Sequence, residues 1–185
     1  MELANASLYD GATSVAEAIS VAINKTKRDG VVVSNGFNPN TKEVINTLVD
    51  RSKFDIKFVD LVDYTFPEDY IFSENDAAFV VSLPHYEGSA QDLTSIVHNA
   101  KAAGAVTICY VDPSMLGLLK TPGSMGFDIV VAEGQSMGSP LSFGGPTVGW
   151  FATKKELARL VPGRIIGESR DCLLYTSDAA DEVVR

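Results

Sequence analysis

Four groups of residues in this chain have types and spacing suited to small-molecule chemistry. The first is the stretch Phe127–Gly149, where an apolar run (Ile129–Ala132) enters a loop of Gly, Ser and Pro and a second run (Val148–Ala152) leaves it. Small residues let a cofactor approach the backbone closely. The loop offers hydroxyls, backbone N–H groups and Gln135 beside Ser136, but no Lys, His or Cys, so it resembles a site without a nucleophile. The second is Asp10-Gly11-Ala12-Thr13, a Gly-containing turn entering a helix. Unpaired N–H groups and the positive end of the dipole suit such a turn to an anion. It reads equally as an ordinary capped helix start, and the charge of Asp10 opposes a bound phosphate. The third is Asp112, at the end of an apolar run and before Pro113. Its carboxylate can hold a protonated ring nitrogen by a charge-assisted hydrogen bond, or simply form the turn. The fourth is His85 in Pro84-His85-Tyr86-Glu87-Gly88, able to stack on or hydrogen-bond a ring, or to serve only as a turn residue.

These residues need elements to position them. Apolar runs at Val31–Ser34, Ile56–Val59, Ala77–Ser82, Val106–Val111 and Ile129–Ala132 read as strands. Between them lie helix-period segments. Ser14 and Glu17 have capping-box spacing, predicting a helix over Ser14–Thr26 with Val15, Ala18, Ile19 and Ala22 on one face. Asn40 and Glu43 open a second through Val44, Ile45 and Leu48, and Gln91–Ala103 forms a third, stopped by Gly104. Shorter helices are expected near Met115–Leu119 and Lys154–Val161, the start of the latter solvated. Such alternation with continuous apolar strands argues for an α/β fold, a largely parallel sheet with helices on both faces. Ligands of such sheets bind at the C-terminal ends of the strands, where His85, Asp112 and the Gly/Ser loop fall.

Composition removes several function classes. The 185 residues carry a net charge of −9, which opposes nucleic-acid binding. Two cysteines form no disulfide framework, no His/Cys cluster has zinc spacing, and Cys109 reads as a buried core thiol. No apolar run has the length of a membrane span. There is no GxSxG elbow, Walker loop or GxGxxG. From Arg170 onward the text lacks turn-and-strand logic and resembles the translation of sequencing-adapter read-through. Residues 170–185 are therefore expected to be a non-native tail, with no functional weight on Cys172 or Tyr175.

Taken together, Asn5-Ala-Ser-Leu-Tyr-Asp-Gly-Ala-Thr13, Val111-Asp-Pro-Ser-Met-Leu-Gly-Leu-Leu-Lys120 and Gly134-Gln-Ser-Met-Gly-Ser-Pro-Leu-Ser-Phe-Gly-Gly-Pro146 form a recognisable set. Phe151-Ala-Thr-Lys-Lys-Glu156 and Pro162-Gly-Arg-Ile-Ile-Gly-Glu168 extend it. Over roughly residues 1–169 the chain resembles subunit 1 of the glycine decarboxylase P-protein family of the glycine cleavage system. The resemblance implies the large domain of a pyridoxal phosphate (PLP) dependent transferase, the aspartate aminotransferase fold type I, truncated at both ends. It implies a cytoplasmic two-subunit enzyme of the split bacterial or archaeal form. PLP would sit on a lysine of subunit 2, with glycine as substrate and the lipoylated H protein as acceptor of the aminomethyl group. The pair corresponding to the partner's His-Lys is Gln135-Ser136, and a hydroxyl forms no imine with an aldehyde. Asp10, Gly11, Ala12 and Thr13 match the family's phosphate turn, and Asp112 lies near its pyridine-nitrogen carboxylate. With His85, Gln135 and Ser136 these are expected to be inherited or interface-facing cofactor-site positions, with no catalytic residue and no metal. The alternatives are a self-sufficient PLP lyase or aminotransferase using Lys120, Lys154 or Lys155, and a non-catalytic interaction domain. Alone, so partial a domain is expected to aggregate through exposed core.

Overall fold

A computed structural model describes residues 1–165 and two further strand pieces, Ser169–Arg170 and Thr176–Ser177. The elements in chain order are β1 (Leu3–Ala4), α1 (Gly11–Thr26), β2 (Gly30–Ser34), α2 (Pro39–Leu48), β3 (Asp55–Val59) and β4 (Asp76–Leu83). They continue with α3 (Thr94–Ala102), β5 (Val106–Val111), β6 (Ile129–Glu133) and β7 (Gly149–Thr153). The two pieces beyond, β8 and β9, pair antiparallel with each other.

One seven-stranded sheet runs β1-β7-β6-β5-β4-β2-β3. Strands β2 to β6 are mutually parallel, and β7 and β1 add antiparallel at one edge. Every residue of β2 and β4 is buried, as expected of parallel strands covered on both faces. Alternation along the strands then sorts the core into two layers. Val31, Val33, Val80, Ile108 and Val131 pack against Val15, Ile19 and Ala22 of α1. Val32, Phe79, Val81 and Cys109 face the other way, toward Ile96, Val97 and Ala100 of α3 with Phe66 and Phe127. Each large apolar side chain buried in this way contributes about 1.5–3 kcal/mol.

The helix starts differ from the expected ones. The capping box at α1 is Asp10 with Thr13, not Ser14 with Glu17: the Thr13 N–H donates to Asp10 Oδ1 at 2.7 Å, and the Asp10 N–H donates to Thr13 Oγ1 at 3.3 Å. Ser14 is fully buried instead, its hydroxyl donating to the Asp10 carbonyl at 2.8 Å. Helix α2 is capped by Asn38, with Pro39 in its first turn, rather than by Asn40. Helix α3 starts at Thr94, three residues after the expected Gln91; past its end Gly104 takes φ +85°. The segments expected as short helices are 3₁₀ turns, Pro113–Gly117 and Lys155–Leu160.

Lys154 is not simply solvated. Its Nζ donates to Asp128 Oδ1 at 2.7 Å, as does Lys101 Nζ at 2.7 Å, while Asp128 Oδ2 accepts from the Thr107 N–H and hydroxyl at 3.0 and 2.9 Å. This ion-paired knot sits at the start of β6, the end of the sheet opposite the Gly/Ser loop. Burial works to raise the Asp128 pKa, but the two lysines and Thr107 outweigh it and hold the carboxyl below its usual range.

Candidate functional site

Helix α1 runs antiparallel to the parallel strands, so its N-terminus returns to their C-terminal edge. There the ends of β4, β5 and β6 open into a cleft of about 330 Å³. Ser82, Pro84, His85 and Tyr86 line it from the end of β4. Tyr110, Val111 and Asp112 come from β5 and its end; Glu133, Gln135 and Ser136 come from β6 and the Gly/Ser loop; Asn38 closes the side. Four of the expected residues, His85, Asp112, Gln135 and Ser136, therefore share one cavity.

Asp112 caps the 3₁₀ turn behind it. Its Oδ1 accepts from the Ser114 N–H at 2.9 Å and hydroxyl at 2.8 Å, and from the Ser136 hydroxyl at 3.4 Å. The turn-forming and cleft-facing readings of Asp112 thus coexist, and Ser136 is held over it. His85 is 1% exposed, and neither ring nitrogen has a hydrogen-bond partner. Burial pushes its pKa down, against a smaller opposing pull from Glu87, so the ring is neutral near pH 7. Gly36 makes room for it: a Cβ at that position would lie 2.5 Å from His85 Nδ1.

The turn Asp10–Thr13 packs against the end of β6 through Glu133, and none of its four residues lines the cleft. Asp10 and Thr13 satisfy each other, and Ala12 lies in the first turn of α1. The Gly11 N–H points at a residue that the sequence reading missed: it donates to Glu133 Oε2 at 2.8 Å. Glu133 Oε1 accepts from the N–H groups of Gln135 and Val148, both at 3.0 Å. Only Gly fits at position 11, where a Cβ would lie 2.8 Å from Tyr110 Cε2 and 2.9 Å from the Glu133 backbone nitrogen. Tyr110 was also missed. Burial, then the charges of Glu133, Asp112 and Asp10, push its phenol up to about 12. A signal for Glu133 existed, a carboxylate ending an apolar strand, the same one that marked Asp112.

Among the described residues, the lining holds two carboxylates, Asp112 and Glu133, and no Lys or Arg. Lys120 donates to Asp92 and Thr94 and Lys154 to Asp128, away from the cleft, and Lys155 is not among its lining residues. Among the described residues no cluster of His, Cys, Asp and Glu could hold a metal ion, and no helix is long and apolar enough to cross a membrane. The side chains that line this cleft can orient and hydrogen-bond a small molecule.

Known proteins share this architecture. A methionine gamma lyase from Micromonospora echinospora superposes with a TM-score of 0.63 at 16% identity, over 83% of this chain and 40% of that one. A Campylobacter jejuni chain carrying N′-pyridoxyl-lysine-5′-monophosphate does so with 0.63 at 18%, over 84% and 37%. The fold is that of the large domain of fold type I PLP enzymes. Much nearer is an inhibitor-bound glycine decarboxylase (P-protein) of the glycine cleavage system, with a TM-score of 0.90 at 39% identity over 95% of this chain and 40% of that one. Curated relatives include the Probable glycine dehydrogenase (decarboxylating) subunit 1 of Geotalea uraniireducens, 42% identical over 174 residues, and that of Staphylococcus haemolyticus, 43% identical over 176. Each alignment takes in 92% of this chain but 39% of the relative, so the chain spans about two fifths of their length. The family model described as glycine cleavage system P-protein matches residues 1–176, and with these relatives it shows that the chain belongs to the glycine cleavage system P-protein family.

Proposed function

We propose that this chain is part of the subunit of a two-subunit glycine decarboxylase that does not form the Schiff base. The complete enzyme decarboxylates glycine and passes the aminomethyl group to the lipoyl arm of the H protein. PLP is the cofactor that the family implies; when bound, it supplies the electron sink for the carbanion left by decarboxylation. The residues of this chain do not fit it. The loop after β6 presents Ser136, hydrogen-bonded to Asp112, and among the described residues no lysine lines the cleft. The Gly11 N–H at the start of α1 is already bonded to Glu133.

What remains for these residues is positioning. Asp112 and Glu133 tether the Gly/Ser loop, and neutral His85 packs the floor of the cleft. The exposed side chains of Tyr9, Met137, Leu141 and Phe143 around the rim offer apolar surface to a second subunit. The observation that supports the reading is that, among the described residues, the cleft is lined by the Ser136 hydroxyl and by no lysine, whereas imine formation needs an amine. Cytoplasmic location and a heterotetramer follow from the same reading.

The test is borohydride reduction of the full-length subunit, with and without its partner, followed by mass spectrometry. The isolated subunit should carry no reduced PLP adduct, and glycine decarboxylation should appear only on mixing with subunit 2. An adduct on this chain would overturn the proposal.

A further inference from the structure

The three N–H groups around Glu133 belong to segments far apart in the chain: Gly11 opens α1, Gln135 begins the Gly/Ser loop, and Val148 ends it. All three donate to one carboxylate at 2.8–3.0 Å. A helix N-terminus of this kind, with converging backbone donors and the positive end of a 16-residue helix, is where an anion binds in many proteins. Here the anion is part of the chain. Gly11 is packed so closely on Tyr110 and Glu133 that even a methyl group does not fit. Among the described residues, the cleft beside it holds the carboxylates of Asp112 and Glu133 and no cationic side chain, so a free dianion would meet repulsion as well as an occupied Gly11 donor.

We propose that Glu133 is a built-in anion: its carboxylate occupies the α1 N-terminal site, closes it to phosphate and phosphate esters, and pins both ends of the Gly/Ser loop to α1. Glu133 is a positioning residue. It holds the neck of the loop from which Ser136 reaches Asp112, a neck that the Gly134 N–H reinforces by donating to the Val148 carbonyl at 2.8 Å. The inference deepens the two-subunit reading but can fail separately. That reading concerns an imine at the loop; this one concerns phosphate at α1.

The experiment uses the full-length chain purified without its partner, so that no other cofactor site is present. Wild type, Glu133→Ala and Glu133→Gln are titrated with inorganic phosphate, with chloride at equal ionic strength as control. Thermal midpoint and calorimetric binding are the readouts. Wild type and Glu133→Gln, whose side chains fill the site, should show no specific phosphate effect. Glu133→Ala frees the three donors. It should start with a lower midpoint, recover part of it in phosphate, and bind phosphate at least about tenfold more tightly than wild type. A tenfold difference is about 1.4 kcal/mol, within the range of a favourable helix-terminus charge. Loss of a merely structural contact would lower the midpoint without any response to phosphate, and that outcome overturns the proposal. So does wild type binding phosphate as tightly as Glu133→Ala, an arm that needs no variant to fold.

Discussion

Replacing Asp128 should destabilise the domain in a way that can be read from its four hydrogen bonds. Its side chain is 8% exposed and accepts from the Thr107 N–H, the Thr107 hydroxyl, Lys101 and Lys154. Asp128→Ala leaves the buried Thr107 N–H and hydroxyl without this acceptor, at about 1–3 kcal/mol for each group left unsatisfied. The lysines, 35% and 32% exposed, regain water, so their share is screened and small. The total is about 3–5 kcal/mol, the usual cost of removing one partner from a buried ionic site. Asp128→Asn keeps an acceptor for Thr107 and should cost less, about 1–3 kcal/mol. Urea unfolding of the full-length chain at pH 7 measures both; a loss below about 1 kcal/mol for Asp128→Ala would refute the reasoning. The pH dependence is a second check. Because the folded-state pKa is depressed, the contribution of Asp128 is present above the unfolded carboxylate value near 3.8 and disappears as pH falls through the folded value. The gap between wild type and Asp128→Asn should therefore be full at pH 7 and narrow in acid. A gap independent of pH would show that charge has no part in it.

Two further outcomes follow from packing. Gly36→Ala should lower the thermal midpoint by forcing a Cβ to within 2.5 Å of His85 Nδ1, at about 1–3 kcal/mol, and the added change His85→Ala should relieve most of that strain; full additivity in the double-mutant cycle would refute the contact. Cys109 is fully buried and burial pushes its thiol pKa up, so native protein should not react with a thiol reagent until it unfolds; rapid labelling without unfolding would place Cys109 elsewhere.

Much of the fold is legible in the sequence because parallel strands covered on both faces must be apolar along their whole length. The run Val31–Ser34 and the run Ala77–Ser82 have that character, and they became the two fully buried strands. Helix starts were less legible. Ser14 and Asn40 were reasonable caps by spacing, but several capping residues stand in each stretch, and packing chose among them. The first helix begins at Gly11 because Asp10 and Thr13 form its capping box, and there only a residue without Cβ can approach Tyr110 and Glu133 so closely. Strand β1 escaped notice because two residues carry no periodicity; it exists through pairing with β7.

The candidate site divides along the same line. His85, Asp112, Gln135 and Ser136 could be named because each follows an apolar run, and the ends of parallel strands converge on one edge. Tyr110 sits inside a strand pattern and looked like core. Glu133 had a signal but no visible partner, since its bond to Gly11 spans 122 positions.

The sequence by itself determined the alternation of strands and helices, the acidic balance, and the absence of an amine from the Gly/Ser loop. These are local properties, written in residue type and period. Only the tertiary structure decided that the anion at α1 comes from the chain itself, and that Asp128 gathers Lys101, Lys154 and Thr107 at the other end of the sheet. Both depend on which segments the sheet order brings within 3 Å, and periodicity encodes burial but not the identity of the neighbour.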